Sequence, residues 1–144
     1  MFHKLLAAVD GSTHGAGVLK VALALAERFD GRVHLYRAIE IPLDLPAAAA
    51  NPPDTLRPYL IAKALGELRL MAAGNPRVVV EPPAELHGSP WRDVLHVADV
   101  LEVDLIVIGS HGFKGWDRLL GTTAGAIANR SRRNVLVIHA EGQG

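Results

Sequence analysis

The residues best suited to chemistry lie between Gly109 and Gly125, in "GSHGFKGWDRLLGTTAG". Glycines let backbone amides approach an anion closely and accept left-handed dihedrals. At the far end Gly121, Thr122 and Thr123 stand where a helix-like segment opens, and the free amides and dipole of a helix start favour a phosphate. The same residues also have a plain structural reading. Gly109 and Gly112 can simply make a tight turn, and Thr122 or Thr123 can simply cap a helix. His111 inside the loop either hydrogen-bonds a phosphate or faces solvent.

A second stretch, "VDGST" (Val9 to Thr13), follows an apolar run near the start. Asp10 stands where a carboxylate can accept ribose hydroxyls or help hold a magnesium ion. Its other role is to cap the next helix through Asx-type hydrogen bonds, in competition with Ser12 and Thr13. Main-chain groups of Ala8, Val9 and Ala38 are placed to read an adenine edge. Two familiar phosphate patterns fail. "DGSTHGAG" is not a G-x-G-x-x-G fingerprint, and Lys114, between Phe113 and Gly115, breaks the Walker A pattern. His3, His14, His34, His87, His96 and His139 are scattered, without convincing metal-ligand spacing. Asp93, His96 and Asp99 share one helix face, which reads as a solvated polar stripe. Ser110 beside His111 is no triad by itself, so no catalytic residue and no metal ligand is assigned.

The elements that must position these loops alternate along the chain. "LLAAV" (Leu5 to Val9), "RVHLYRAI" (Arg32 to Ile39), "RVVVE" (Arg77 to Glu81), "LIVIG" (Leu105 to Gly109) and "NVLVIH" (Asn134 to His139) read as strands. Helical spacing runs from Thr13 to Phe29, with Gly31 as a stop, and recurs at Leu56, Tyr59, Leu60, Ala64, Leu68 and Met71. Ser89 and Pro90 open a third helix, which turns Trp91, Val94, Leu95, Ala98 and Leu101 inward. Thr122 to Arg130 forms the last helix. The Pro/Ala-rich "EIPLDLPAAAANPPDT" is a long connection, either a crossover or a lid. Apolar strands alternating with helices imply a parallel sheet covered on both faces. Ligands of such sheets bind beyond the carboxyl ends, where strand order reverses. With the order 3-2-1-4-5, the loops after strands 1 and 4 are the two walls of that crevice.

Bulk properties narrow the classes. A chain of 144 residues suits one domain, residues 1–144. Zero formal net charge argues against general attraction to nucleic acid. Between Gly109 and Gly144, Lys114, Arg118, Arg130, Arg132 and Arg133 outnumber the acids, a bias that suits a small anion or an ordinary surface. The absence of cysteine excludes disulfides, thiolate catalysis and Cys-based zinc sites, and a reducing cytoplasm is the expected location. No run approaches the ~20 apolar residues of a membrane span.

The chain resembles the universal stress protein family over essentially its full length. The resemblance rests on "LLAAVDGS", "GSPWRDVLHVADVLEVDLIVIGSHG" and "LLGTTAGAIANRSRRNVLVI" in that order. It implies an α/β fold, an open parallel five-stranded sheet of order 3-2-1-4-5, Rossmann-like and of the adenine nucleotide alpha hydrolase-like kind. The ATP-binding branch carries G-x2-G-x9-G-[ST]. Here Gly109, Gly112, Gly121 and Thr122 match it, with an eight-residue second spacer from Phe113 to Leu120. By this resemblance Asp10 faces the ribose, Ala8, Val9 and Ala38 surround the adenine, and Gly109, His111, Gly112, Gly121, Thr122 and Thr123 surround the phosphates of ATP, with or without magnesium. It further implies a homodimer through the last strand, Val135 to Ile138, whose apolar edge needs a cover. The function it points to is a nucleotide-sensing regulator in the stress response, with an unidentified protein partner. Two alternatives stand beside it: a slow ATPase or nucleotidyl or phosphoryl transferase, and an interaction module that uses no nucleotide.

Overall fold

The structure is a computed structural model that describes residues 1–39, 53–83, 89–110 and 122–139, without the side chains of 53–55 and 122. The chain runs β1 (Lys4–Ala8), α1 (Gly15–Phe29), β2 (Arg32–Tyr36), α2 (Pro53–Ala72), β3 (Val78–Val80), α3 (Pro90–Leu101), β4 (Leu105–Gly109), α4 (Thr122–Arg130) and β5 (Asn134–Ile138). The five strands form one sheet of order β3-β2-β1-β4-β5, and every pairing is parallel. The expected order is therefore the observed one, with β1 and β4 side by side at the reversal.

Strand periodicity divides the core into two layers. Leu5, Ala7, Val33, Leu35, Leu105 and Val107 pack on one face with Val18, Ala22 and Ala26 of α1 and Leu68 of α2. Leu6, Tyr36, Ile106 and Ile108 pack on the other with Val94 and Ala98 of α3 and Ala124 and Ile127 of α4. Both faces of the central strands are thus covered, which is why these strands are continuously apolar. Full burial of each Leu or Ile contributes about 1.5–3 kcal/mol.

Helix ends differ in part from the sequence expectation. The left-handed residue that stops α1 is Asp30, at φ 53°, whose N–H donates to the Ala26 carbonyl. Gly31 is required for another reason: a Cβ there would lie 2.5 Å from the Phe2 carbonyl oxygen. Strand β2 ends at Tyr36 and β3 spans only Val78–Val80. Ladder bonds nevertheless continue past β3 at both ends, from Val33 N–H to the Arg77 carbonyl and from Glu81 N–H to the Leu35 carbonyl. Helix α3 starts as expected, with extended Ser89 followed by Pro90.

Two side chains go against the expected patterning. Tyr59 is exposed on α2, outside the stripe that buries Ala64, Leu68 and Ala72. Asp93 is fully buried and so is no part of a solvated stripe. It lies in the first turn of α3, where the helix dipole favours a carboxylate. His96 is exposed, and Asp99 accepts a hydrogen bond from Arg133 Nε at 3.2 Å. The connection from residue 40 to 52, read as crossover or lid, lies outside the described residues.

Candidate functional site

The carboxyl end of β1 meets the ends of two neighbours. Ala8 is in register with Tyr36 of β2 and Ile108 of β4, so the chain leaving β1 enters the crevice between them. Val9 is buried, and its N–H donates to the Tyr36 carbonyl at 2.9 Å. Ala38, two residues beyond β2, is half-buried. Gly109 ends β4 opposite Ile138 of β5. Four expected groups, Ala8, Val9, Asp10 and Gly109, thus gather at the β1/β4 reversal, with Ala38 close to them along β2.

The loop after β1 is shaped by short-range bonds. Asp10 Oδ1 accepts the Ser12 N–H at 2.9 Å, and Ser12 Oγ accepts the His14 N–H at 3.3 Å. Asp10 therefore makes an Asx turn. The capping residue of α1 is His14, which makes no side-chain cap bond. Gly11, between Asp10 and Ser12, adopts φ +84°, a conformation that favours glycine.

Arg37 is a site residue that the sequence did not reveal. Its guanidinium lies against Gly11 so closely that a Cβ at Gly11 would stand 2.5 Å from Cζ. Nη1 donates to Glu67 Oε2 of α2 at 2.6 Å, which fixes the guanidinium beside the Asp10 turn. A charged residue just past an apolar strand was the available signal, but its packing against a glycine far away in sequence was not.

Helix α4 runs antiparallel to the strands. Its carboxyl end is tied to the segment before β4, through Arg133 Nη1 to the Val103 carbonyl at 2.6 Å and Asn134 Nδ2 to the Asp104 carbonyl at 3.4 Å. Nine residues, Thr122 to Arg130, carry the axis about 13 Å back, so the Thr122 end points toward the crevice. Thr123 is exposed there. His111, Gly112 and Gly121 lie outside the described residues. The basic bias divides: Arg133 ties α4 to α3, and Arg130 stacks on Trp91 at 4.7 Å, so both have structural roles.

Two further pairings flank the crevice. Burial, and then the charge of Asp93, push the Tyr36 hydroxyl far above the ordinary tyrosine range. At the other side Ser110 N–H donates to the Ile138 carbonyl at 2.9 Å, and Ser110 Oγ lies 2.9 Å from His139 Nδ1. The sequence separates these two residues by an entire helix, which hid the pair.

Glycine-permitted backbone, a carboxylate turn, a fixed guanidinium and a helix start therefore surround one crevice. These groups suit a ligand with a hydroxylated sugar and an anionic tail. The universal stress protein family model matches residues 1–139. The chain is 30% identical to universal stress protein A homolog 1 of Coxiella burnetii, over 95% of this chain and 96% of that protein. Its fold is similar to that of hypothetical protein MJ0577, with a TM-score of 0.80 at 21% identity, covering 99% of each chain. It is also similar to that of a universal stress protein solved in complex with cAMP, with a TM-score of 0.69 at 23% identity, covering 95% of this chain and 97% of that one. With the family match spanning the sheet and all four helices, the chain belongs to the universal stress protein family.

Proposed function

We propose that this chain is a cytoplasmic, ATP-binding universal stress protein that acts as a nucleotide-sensing regulator. The observation that carries this reading is the convergence of the Asp10 turn, Gly109 and the Thr122 end of α4 on the β1/β4 reversal. A relative of the same fold solved with cAMP supports an adenine nucleotide as the class of ligand. In this reading Asp10 takes the ribose, main-chain groups of Ala8, Val9 and Ala38 take the adenine, and Gly109 with His111, Gly112, Gly121, Thr122 and Thr123 takes the phosphates. Arg37 adds a cation beside the Asp10 turn and holds that turn's shape. Bound ATP supplies a polyphosphate anion that links the loop after β4 to the start of α4. Binding then favours whichever arrangement of that loop contacts the phosphates, and a partner that reads the loop senses the nucleotide.

Titration calorimetry of nucleotide-free protein tests this, with ATP in the presence and absence of magnesium, then AMP and GTP. ATP is expected to bind, and Thr122→Val or Gly112→Val to weaken it by tenfold or more, the loss of about one good charged hydrogen bond. Failure of every nucleotide to bind would leave the interaction-module reading in its place. The chain is also proposed to pair with a second copy through β5, an apolar strand that among the described residues is bonded to β4 alone.

A further inference from the structure

We propose that the outer face of α2 is a docking surface for an acidic amphipathic helix of a partner protein. The proposal goes beyond the nucleotide reading and does not depend on it. Helix α2 turns Ala64, Leu68 and Ala72 onto the sheet. Tyr59, Ala62, Gly66 and Leu70 fall together on the opposite side at helical spacing, and all four are exposed. Tyr59 keeps 62% and Leu70 81% of its surface in solvent. A helix with one stripe already packed thus carries a second, and a helix that is apolar on both sides is ordinarily covered on both.

Gly66 gives that outer stripe its shape. Glycine in mid-helix is destabilising relative to alanine, so its presence calls for a reason. Packing within the chain supplies none, because a Cβ at Gly66 would meet no other described residue within 4 Å. With Ala62 one turn before it, Gly66 leaves a shallow notch between Tyr59 and Leu70, which stand about 16 Å apart along the axis. A notch of small residues between two large ones receives the side-chain ridge of another helix. A lipid surface calls instead for a continuous apolar face.

The flanks select the partner. Lys63 stands on one side of the stripe and Arg69 on the other, both exposed. Glu67 is the only acid among the described side chains of α2, and Arg37 Nη1 engages it at 2.6 Å. The outer face therefore presents positive charge, which attracts acidic flanks and resists basic ones. A second copy of this chain is a poor occupant for the same reason, since it would set Lys63 and Arg69 against like charge. An acidic helix has the matching pattern, with apolar anchors at i, i+3, i+4 and i+7 and carboxylates on both sides.

The full chain is panned against a displayed library of amphipathic helices, four turns long, with randomised flanking positions. The enriched peptide is then synthesised with a fluorescent label for anisotropy titration. Glu and Asp are expected to be enriched at the flanks, and the same peptide with Lys in their place to bind about tenfold more weakly or worse. Gly66→Leu fills the notch with a good helix former, and is expected to weaken the peptide by about tenfold or more while the urea midpoint holds or rises. Binding lost without stability lost separates docking from a structural role of Gly66. The double variant Lys63→Glu with Arg69→Glu is expected to reverse the preference, toward the Lys-flanked peptide. A library that yields no binder, or binding unaffected by Gly66→Leu, overturns the proposal. A dimer abolished by Leu70→Glu also overturns it and assigns the face to a second copy. Adsorption to phosphatidylglycerol vesicles abolished by Leu70→Glu, without peptide binding, overturns it in favour of a membrane surface.

Discussion

Arg37 and Gly11 show how one contact sets the geometry of the crevice. Gly11 is held at φ +84° with the Arg37 guanidinium where a side chain would begin. Glu67 holds that guanidinium from α2 at 2.6 Å, so helix, strand and loop meet at one charge. Two penalties therefore fall on Gly11→Ala: left-handed backbone strain of about 1–2 kcal/mol, and displacement of Arg37. The substitution is expected to destabilise the fold by more than the strain alone and to weaken nucleotide binding. In the double variant Gly11→Ala with Arg37→Ala the steric part should be relieved. Denaturant midpoints of the two singles and the double measure this as a coupling energy. Strict additivity would mean that Arg37 does not constrain the turn.

At the scale of elements, the two edges of the sheet differ. Strand β3 is three residues long, a length that offers little to a partner. Strand β5 is longer, and Val135, Leu136, Val137 and Ile138 are all half-buried. Val135 and Val137 pack on the α3/α4 layer and Leu136 and Ile138 on the other, so neither face of β5 is fully covered. Association of two copies along β5 would pair the edge of that strand and extend the ladder. Sedimentation velocity is expected to show a dimer for the parent chain, and Val137→Lys should shift it to monomer while retaining the fold by circular dichroism. A monomeric parent at all concentrations would remove the proposal. Because Ser110 is bonded to the carbonyl of Ile138, this edge and the crevice share a strand end.

Across the whole molecule, the Tyr36–Asp93 pair is the most buried polar pair among the described residues. It links the end of β2 to the first turn of α3, below the crevice. Burial and the Asp93 charge both disfavour the tyrosinate, so the folded state holds the Tyr36 proton to higher pH than the unfolded chain does. The sign follows from linkage: above the ordinary tyrosine value of 10.0 the unfolded state binds fewer protons, and stability falls as pH rises. That contribution is fully present below pH 10.0 and is lost on going above it. Unfolding by denaturant is expected to become easier above this pH in the parent and to change less in Tyr36→Phe. Equal slopes in the two proteins would mean that Tyr36 is not the group responsible.

What the sequence determined by itself were features encoded by neighbours along the chain. The continuously apolar runs of β1 and β4, the Ser89–Pro90 start of α3 and the Thr122–Arg130 helix are local patterns, legible because apolar spacing and turn chemistry act over a few residues. The strand order 3-2-1-4-5 is what the family resemblance implies, and two ligand-type loops meeting at a reversal between β1 and β4 agree with it. The tertiary structure alone decided the contacts between residues distant in sequence. Asp93 reads as surface until α3 is laid against Tyr36. Arg37 reads only as a charge beside an apolar strand until the end of β2 brings it over Gly11, and His139 carries no signal until β5 pairs with β4 and sets it beside Ser110. Each of these depends on strand register, which hydrogen bonding between chain segments determines and which no local pattern records.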